Sequence, residues 1–162
     1  ELVSGGTRRG IRTTGTVVLV TGDSGIIERC PVKLPDRDRK CRKRLRDGSC
    51  IDHGPQRGEE DLRIRMVLDN GVSNVSLLLS KEPAEKFLGM TQAEVAEKIS
   101  KDGQESFLTS VREQSLGMSV SVNGLALIDD QGAMLLADSV QGDGLTASQA
   151  ADMIIEKWEV VM

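Results

Sequence analysis

The chain has 162 residues, of which 38% are hydrophobic and 28% charged; these values are typical of one globular domain. Its apolar runs, such as residues 17–20, are far shorter than the ~20 residues of a bilayer span, so we expect no transmembrane helix and no membrane partner. The net charge is −4, but residues 29–46 hold nine Lys or Arg against two Asp, a local charge of +7. This asymmetry favours a polyanionic partner; the alternative is a solvated loop whose charges only aid solubility.

The start of the chain predicts an arm rather than a folded element. It begins Glu-Leu-Val, without an initiator Met or a basic, apolar leader, so we expect a piece of a longer protein with further domains upstream. Residues 1–13 are rich in Gly and Arg and lack hydrophobic periodicity, which predicts a flexible arm or linker. The first strand is expected to begin at Thr14.

Two hairpins are predicted in the first half of the chain. Residues 16–21 are β-branched and apolar, a Gly-Asp-Ser-Gly turn follows, and residues 26–30 resume the extended pattern, which predicts the first hairpin. In residues 62–68 apolar side chains alternate with Arg63 and Arg65, as in a half-buried strand. An Asp-Asn-Gly turn then leads into a second apolar strand at 75–79, which completes the other hairpin.

Helices and further strands are predicted in the second half. Two or three short helices are expected in residues 83–116, where Thr91 and Glu94 have the spacing of a capping box. Residues 118–123 alternate apolar and polar side chains, and residues 133–140 form a last strand after a turn. The predicted outward positions of these strands are polar: Arg63, Arg65, Asn74, Ser76, Ser119, Ser121 and Asn123.

A final helix is predicted over residues 141–162. Apolar side chains recur there at intervals of four, three, four and three residues and form one stripe: Ala147, Ala151, Ile154, Trp158 and Val161. Such a stripe packs either on its own domain or, in the sharper interpretation, against helices of partner chains.

The three cysteines and the single histidine form one group in the sequence. Cys30, Cys41, Cys50 and His53 lie within twenty-four residues. Three cysteines are an odd number, which does not suit a disulfide framework. The grouping therefore favours a metal site in a reducing compartment. Thiolate and imidazole are typical ligands of tetrahedral Zn²⁺, and four protein ligands leave no position for an activated water. We therefore predict a structural zinc ion.

Alternatives to the zinc site are three buried free thiols and a surface histidine, or a cysteine nucleophile with His53 as its base. The second lacks an orienting third group at a suitable spacing. A metal also meets a structural need, because residues 30–58 hold too few apolar side chains to form a core of their own. The wide gap between Cys30 and Cys41 is expected to bulge out as a loop, at a small cost in entropy.

The order of these parts resembles a known family. A strand is followed by a Cys3His insertion that ends in Gly-Ser-Cys-x-x-His-Gly, and then by Asp-Leu-Arg-Ile at 61–64, Val-Leu-Asp-Asn-Gly at 67–71 and Leu-Gly-Met at 88–90. This order resembles the carboxy-terminal zinc-containing OB domain of the replication protein A large subunit, most of all archaeal replication factor A. The resemblance is strongest in residues 44–71 and 87–94 and runs from the first predicted strand to the end of the chain.

The expected fold is mainly β (α+β). Five strands with a helical segment between the third and fourth are the arrangement of an OB-fold barrel. The barrel is expected over residues 14–140, with a zinc-ribbon insertion at 30–58 between its first two strands, and the carboxy-terminal oligomerisation helix over 141–162.

The resemblance implies a noncatalytic protein that binds and protects single-stranded DNA in replication, repair and recombination. It also implies that the final helix joins helices of smaller OB-fold subunits in a heterotrimer. The location would be the cytoplasm, at the nucleoid, or the nucleus of a eukaryote. No small-molecule substrate is expected.

The residues predicted to bind phosphate are basic side chains of the insertion and of one strand: Arg42, Lys43, Arg44, Arg46, Arg63 and Arg65. Because the chain has only three aromatic residues, base stacking is expected to be minor and binding weak and salt-sensitive. The competing hypothesis is a zinc-stapled trimerisation scaffold that hardly touches DNA. A zinc hydrolase is a weaker third alternative.

Overall fold

The computed structural model describes residues 6–129 and 132–142. Within these ranges the chain is mainly β, with eight strands and three helices. The elements in chain order are β1 (Gly6–Val20), β2 (Gly25–Arg29), β3 (Ser49–Cys50), β4 (Gly54–Pro55), β5 (Glu59–Asp69), β6 (Asn74–Leu79), α1 (Lys81–Leu88), α2 (Gln92–Asp102), α3 (Gln104–Ser115), β7 (Ser119–Asp129) and β8 (Gly132–Gly142).

Five long strands are joined in a circuit of backbone pairings. β1 pairs antiparallel with β7 and with β5, β7 pairs antiparallel with β8, and β5 pairs antiparallel with β6. β6 and β8 are parallel and complete the circuit. The result is a mixed sheet in which three helices connect β6 to β7.

The first predicted hairpin is wrong. β1 and β2 pair with different parts of β5 instead of with each other, β1 along residues 66–69 and β2 along residues 59–63. Ser24 explains this geometry: its hydroxyl donates to the carbonyl of Arg65 and accepts from the N–H of the same residue. The turn therefore shifts the chain along β5 without reversing it.

The first strand begins earlier than predicted, at Gly6 instead of Thr14. Residues 6–13 pair with β7, with a register shift between Arg8 and Ile11. Gly10, with φ of 68°, lies in that irregularity. The sequence did not predict this part of β1 because residues 6–13 are mostly polar and show little apolar alternation.

The core lies between the sheet and the helices. Leu62, Ile64, Met66 and Leu68 are fully buried, as their alternation predicts. Further buried contacts come from helices and neighbouring strands, chiefly Leu77, Leu79, Leu88, Val95, Phe107, Val111, Val120 and Val122. The antiparallel pairing of β5 with β6 confirms the second predicted hairpin. The helices α1, α2 and α3 confirm those predicted between residues 83 and 116.

Local signals agree with two further features. Thr91 accepts a hydrogen bond from the backbone N–H of Glu94 and so caps α2, as the spacing predicts. Ser121 differs: the sequence placed it on an outward polar face, yet it is only 4% exposed. The Arg12 side chain lies over it and donates to its hydroxyl at 3.4 Å.

The carboxy-terminal prediction is only partly within the described residues. Gln141 and Gly142 end β8 and are not helical. The stripe from Ala147 to Val161 lies outside the described residues. Among the helices that are described, none combines the length and apolar character needed to cross a bilayer.

Candidate metal centre and nucleic-acid surface

The structure brings the four predicted metal ligands together. Cys30 follows β2, Cys41 lies in the segment between β2 and β3, Cys50 ends β3, and His53 lies in the turn between β3 and β4. One ligand atom from each residue lies within 4.8 Å of all the others. The three cysteines are free thiols with no disulfide between them.

The distances between the ligand atoms fit one tetrahedral metal ion. The Nδ1 atom of His53 is 3.5 Å from the sulfur of Cys30 and 3.5 Å from that of Cys50, and the sulfurs of Cys41 and Cys50 are 3.9 Å apart. Tetrahedral zinc, with bonds of ~2.3 Å to sulfur and ~2.0 Å to nitrogen, separates two sulfurs by roughly 3.8 Å and a sulfur from a nitrogen by roughly 3.5 Å. The donor set therefore fits a metal ion such as zinc.

The wide spacing between Cys30 and Cys41 is spanned by a short pair of extended segments. The Cys41 N–H donates to the Val32 carbonyl at 2.7 Å, and the Leu34 N–H donates to the Arg39 carbonyl at 3.0 Å. Lys33 and Lys40 form a bridge between these two bonds. The intervening residues thus form a closed loop beyond the Lys33–Lys40 bridge.

Two tight turns present the other ligands. Asp47 and Gly48 have φ of 51° and 76°, the left-handed pair that suits a two-residue hairpin and that an Asp-Gly sequence favours. Arg46 and Ser49 exchange both backbone hydrogen bonds across it, at 3.0 Å each. Cys50 then pairs with Gly54 across the second turn, which places His53 beside the thiols.

A small apolar cluster supports the centre. Cys30, Leu45 and Cys50 are buried together, with Val32 and Cys41 packed at their edge. Gly58 is required here, because a Cβ at that position would lie 2.8 Å from Leu45 and 2.6 Å from Glu28. This cluster is separate from the main core, in agreement with the prediction that the insertion cannot form a sizeable core alone.

The environment gives the buried thiols different proton affinities. Burial raises the pKa of Cys30. Burial also opposes ionisation of Cys50, but hydrogen bonds from the backbone N–H groups of Asp52 and His53 and from the His53 side chain outweigh it, and the pKa falls to about 6. Cys50 is therefore the thiol more easily converted to the thiolate that binds metals.

Carboxylates from outside the basic segment neutralise much of its charge. Nitrogens of the Arg42 guanidinium lie 3.8 Å from carboxylate oxygens of Glu59 and of Asp61. Lys43 pairs with Asp52. The local charge counted along the sequence therefore overstates the positive charge in space.

Three more of the predicted phosphate-binding residues surround one carboxylate. Arg63 donates to Asp23 at 2.8 Å, and nitrogens of Arg44 and Arg65 lie 3.7 Å from the same oxygen. Arg46 is different, since no ion pair connects it to another of the described residues.

The Arg63 side chain is largely buried beside the turn that carries Asp23. Its side chain is only 16% exposed, and its buried Nε has no hydrogen-bond partner among the described residues. Burial lowers the pKa of Arg63, with Asp23 acting against that effect. Arg63 is therefore a less accessible phosphate ligand than its alternation in the sequence indicated.

Ile51 is a surface feature that the sequence did not reveal. It is one of the few apolar residues of the insertion, and it is 88% exposed at the turn between Cys50 and His53. The sequence signal for this exposure was the position of Ile51 between two ligands, in a turn too short to bury its side chain. The described aromatic side chains offer no comparable surface: Phe107 is buried and Phe87 is partly buried against the core.

The topology defines the class of this domain. A mixed sheet with a parallel β6–β8 pair, and helices between β6 and β7, is OB-fold-like. Comparison of the sequence with protein-family models and with curated proteins gave no match.

Solved structures of replication protein A share this fold. A chain described in "Structure and Conformational Change of a Replication Protein A Heterotrimer Bound to ssDNA" matches with a TM-score of 0.55 at 13% identity, over 93% of this chain and 35% of that one. A chain of "Yeast RPA bound to ssDNA" matches with a TM-score of 0.54 at 12% identity, over 96% of this chain and 88% of that one. The present chain thus spans about a third of the first, and the likeness shows a replication protein A-like OB fold.

Proposed function

We propose that this chain is a zinc-stabilised OB-fold module that binds single-stranded DNA and catalyses no reaction. The convergence of Cys30, Cys41, Cys50 and His53 within a basic insertion is the observation that carries the proposal. Support comes from the fold, which resembles chains in ssDNA-bound structures of replication protein A. In this proposal the circuit of five strands is an OB barrel, and the insertion lies between its first two strands.

The metal has a structural role in this proposal. When bound, zinc cross-links the four ligands and supplies no open coordination position for a reacting water. The backbone turns at Asp47 and at Ile51 then hold the basic side chains around the small cluster in fixed positions. The insertion would lose this order without the ion.

DNA binding by this module is proposed to be electrostatic and weak. The phosphate ligands are Arg42, Lys43, Arg44, Arg46, Arg63 and Arg65, of which Arg46 needs no carboxylate to be displaced. Base stacking contributes ~1–3 kcal/mol for each aromatic platform in single-strand-binding domains. The described surface lacks an exposed aromatic residue, so other domains would supply most of the affinity of the whole protein.

The wider biological role follows the same proposal. The module would protect single-stranded DNA in replication, repair and recombination, at the nucleoid or in a nucleus. The segment from Ala147 to Val161 would join helices of smaller OB-fold subunits in a heterotrimer. Replacing Trp158 with Ala should then prevent assembly with partners while the sheet remains folded.

Two measurements test the central proposal. Native mass spectrometry of the chain should show about one zinc ion per chain, and a metal-free native mass would contradict the metal centre. Fluorescence anisotropy with a labelled single-stranded oligonucleotide should show affinity that falls with salt, with a log–log slope of ~−0.7 for each phosphate neutralised. Absence of binding at low salt would contradict the DNA-binding function.

The pairing of the basic residues favours a second candidate, a zinc-stapled scaffold that assembles partner subunits and scarcely binds DNA. Arg42, Lys43 and Arg44 all have carboxylates nearby, which reduces the charge available to phosphate. A chain that binds zinc and partners but no oligonucleotide at low salt would support this candidate.

A further inference from the structure

Ile51 and Val72 are the most exposed large apolar side chains among the described residues, at 88% and 94%. They differ in what holds them. Val72 lies in the loop between β5 and β6, whereas Ile51 lies between two proposed zinc ligands in the turn from Cys50 to His53. The metal centre would thus hold an apolar side chain in water in a fixed position.

A groove adjoins this side chain. It has a volume of about 600 Å³ and is lined by Arg44, Arg46, Ser49, Cys50 and Ile51. Small-molecule sites typically have volumes of ~300–1,000 Å³. The lining combines one apolar surface, one hydroxyl and two cations, so it suits a ligand that is apolar on one face and anionic at its ends.

The two cations of the groove differ in how available they are to a ligand. Arg46 makes no ion pair with the other described residues, and the only ion pair that Arg44 makes with them is its 3.7 Å contact with Asp23. The backbone of Arg46 is fixed by its two hydrogen bonds with Ser49. A phosphate can therefore approach Arg46 without first displacing a carboxylate from it.

We propose that this groove is a nucleotide-binding subsite, in which one base of the single strand packs against Ile51 and the flanking phosphates pair with Arg46 and Arg44. The proposal rests on the DNA-binding function proposed above and deepens it. The base has the flat apolar face, and the phosphates the negative charge, that this lining complements. Ile51 would supply an apolar base contact on a surface that has no exposed aromatic residue among the described positions.

The two contributions can be separated by their dependence on salt. An apolar contact with a base releases no counterion, whereas an arginine–phosphate pair does. Replacing Ile51 with Ser should therefore weaken binding to oligothymidylate about three- to tenfold and leave the salt slope unchanged. Replacing Arg46 with Gln should weaken binding and reduce the magnitude of the slope by ~0.7.

The experiment is an anisotropy titration of the full chain at several salt concentrations, with oligothymidylate and with an abasic strand of equal length and charge. Ile51→Ser should have no effect on binding of the abasic strand, and Arg46→Gln should weaken binding of both strands. Val72→Ser is the matched control, because it removes an equally exposed apolar side chain elsewhere and should leave both affinities unchanged. Zinc content should be the same in all variants.

An aromatic replacement gives an independent test. Ile51→Trp should raise affinity for oligothymidylate roughly tenfold, because a ring stacks on a base better than an aliphatic side chain does. If the wild-type chain binds DNA and neither Ile51 variant changes the affinity, the subsite is wrong and the DNA-binding proposal stands. If the wild-type chain binds no oligonucleotide, both proposals are wrong, and a partner protein becomes the better occupant of the groove.

Discussion

Asp23 illustrates how one residue can balance several charges at the residue scale. It lies in the turn between β1 and β2, accepts a hydrogen bond from Thr21, and pairs with Arg63 and Arg65. The Thr21 hydrogen bond lowers the pKa of Asp23, burial raises it, and the two arginines lower it further, so that the net pKa is below 3.8. The folded state therefore favours the ionised carboxylate.

This shift predicts acid sensitivity. Because the pKa of Asp23 is lower in the folded than in the unfolded chain, its stabilising contribution is present above about pH 4 and is lost as pH falls through the folded-state value. The free energy of unfolding of the wild type, measured by urea denaturation, should fall more steeply below about pH 4 than that of Asp23→Asn. Asp102→Asn is the control, since Asp102 has no ion pair within the described residues and should leave the wild-type pH dependence intact. Parallel curves for wild type and Asp23→Asn would contradict the prediction.

The zinc affinity of the centre is expected to depend on the Cys41 thiol. It is the least buried of the three cysteines and lies 3.9 Å from the sulfur of Cys50. Replacing Cys41 with Ser removes a soft ligand, so the chain should bind zinc at least tenfold more weakly in a chelator competition assay. Ser49→Ala, beside Cys50 but with no ligand atom in the centre, should bind zinc as the wild type does. Equal zinc affinity of Cys41→Ser and wild type would show that Cys41 is not a ligand.

At the element scale, β1 and β2 both pair with β5, although the sequence predicted that they pair with each other in a hairpin. The Gly-Asp-Ser-Gly turn gave a correct signal for a break between β1 and β2, but a turn signal does not say whether the chain reverses or continues along the same neighbour. Ser24 decides this through long-range bonds to β5 and through its carbonyl, which accepts from Gln104 of α3 at 2.7 Å. Partners forty residues or more away cannot be read from a local pattern.

Ser24→Ala should accordingly destabilise the joint between β1 and β2. The side chain is buried, and its removal leaves the N–H of Arg65 without its acceptor, whereas the Arg65 carbonyl still accepts from the N–H and hydroxyl of Thr21. The free energy of unfolding should fall by about 1–3 kcal/mol. Ser100→Ala, on the exposed surface of α2, should change it by less than about 0.5 kcal/mol. Equal stability of the two variants would contradict this role of Ser24.

A close approach between β7 and β8 leads to another prediction. A Cβ at Gly124 would lie 2.1 Å from the backbone oxygen of Leu136, at the register shift of β7. Gly124→Ala should therefore lower the melting temperature by several degrees, since overpacking costs ~1–3 kcal/mol. Gly22→Ala, where the added carbon meets no atom within 4 Å, should melt close to the wild type. A normal melting temperature for Gly124→Ala would show that the strands can separate at little cost.

At the scale of the whole molecule, the sequence predicted the core strand and the ligand cluster better than it predicted the free positive charge of the insertion. Alternation at 62–68 predicted the strand that carries the core, because burial of one face depends on the local pattern. The clustering of four ligands predicted their convergence, because few residues separate Cys50 from His53. The free charge of the insertion could not be predicted, because Glu59, Asp61 and Asp23 reach it from elements outside residues 29–46.

The two separate apolar clusters predict stepwise unfolding. The main core is formed by the sheet and helices, while the cluster around Leu45 depends on the proposed metal ligands. Removal of zinc with a chelator should therefore expose residues 30–58 to hydrogen exchange while amides of β5 and β7 remain protected. Simultaneous loss of protection in both regions would show that the metal stabilises the entire domain.

The bridge between Lys33 and Lys40 closes the Cys30–Cys41 loop before the chain reaches the sulfurs. The tip beyond it, residues 35–38, can therefore vary in length without altering the ligand geometry. A search that requires two to four residues between paired ligands would overlook centres built in this way. The same tip is a suitable place to graft a peptide tag or a fluorophore, because its length is uncoupled from the coordination sphere.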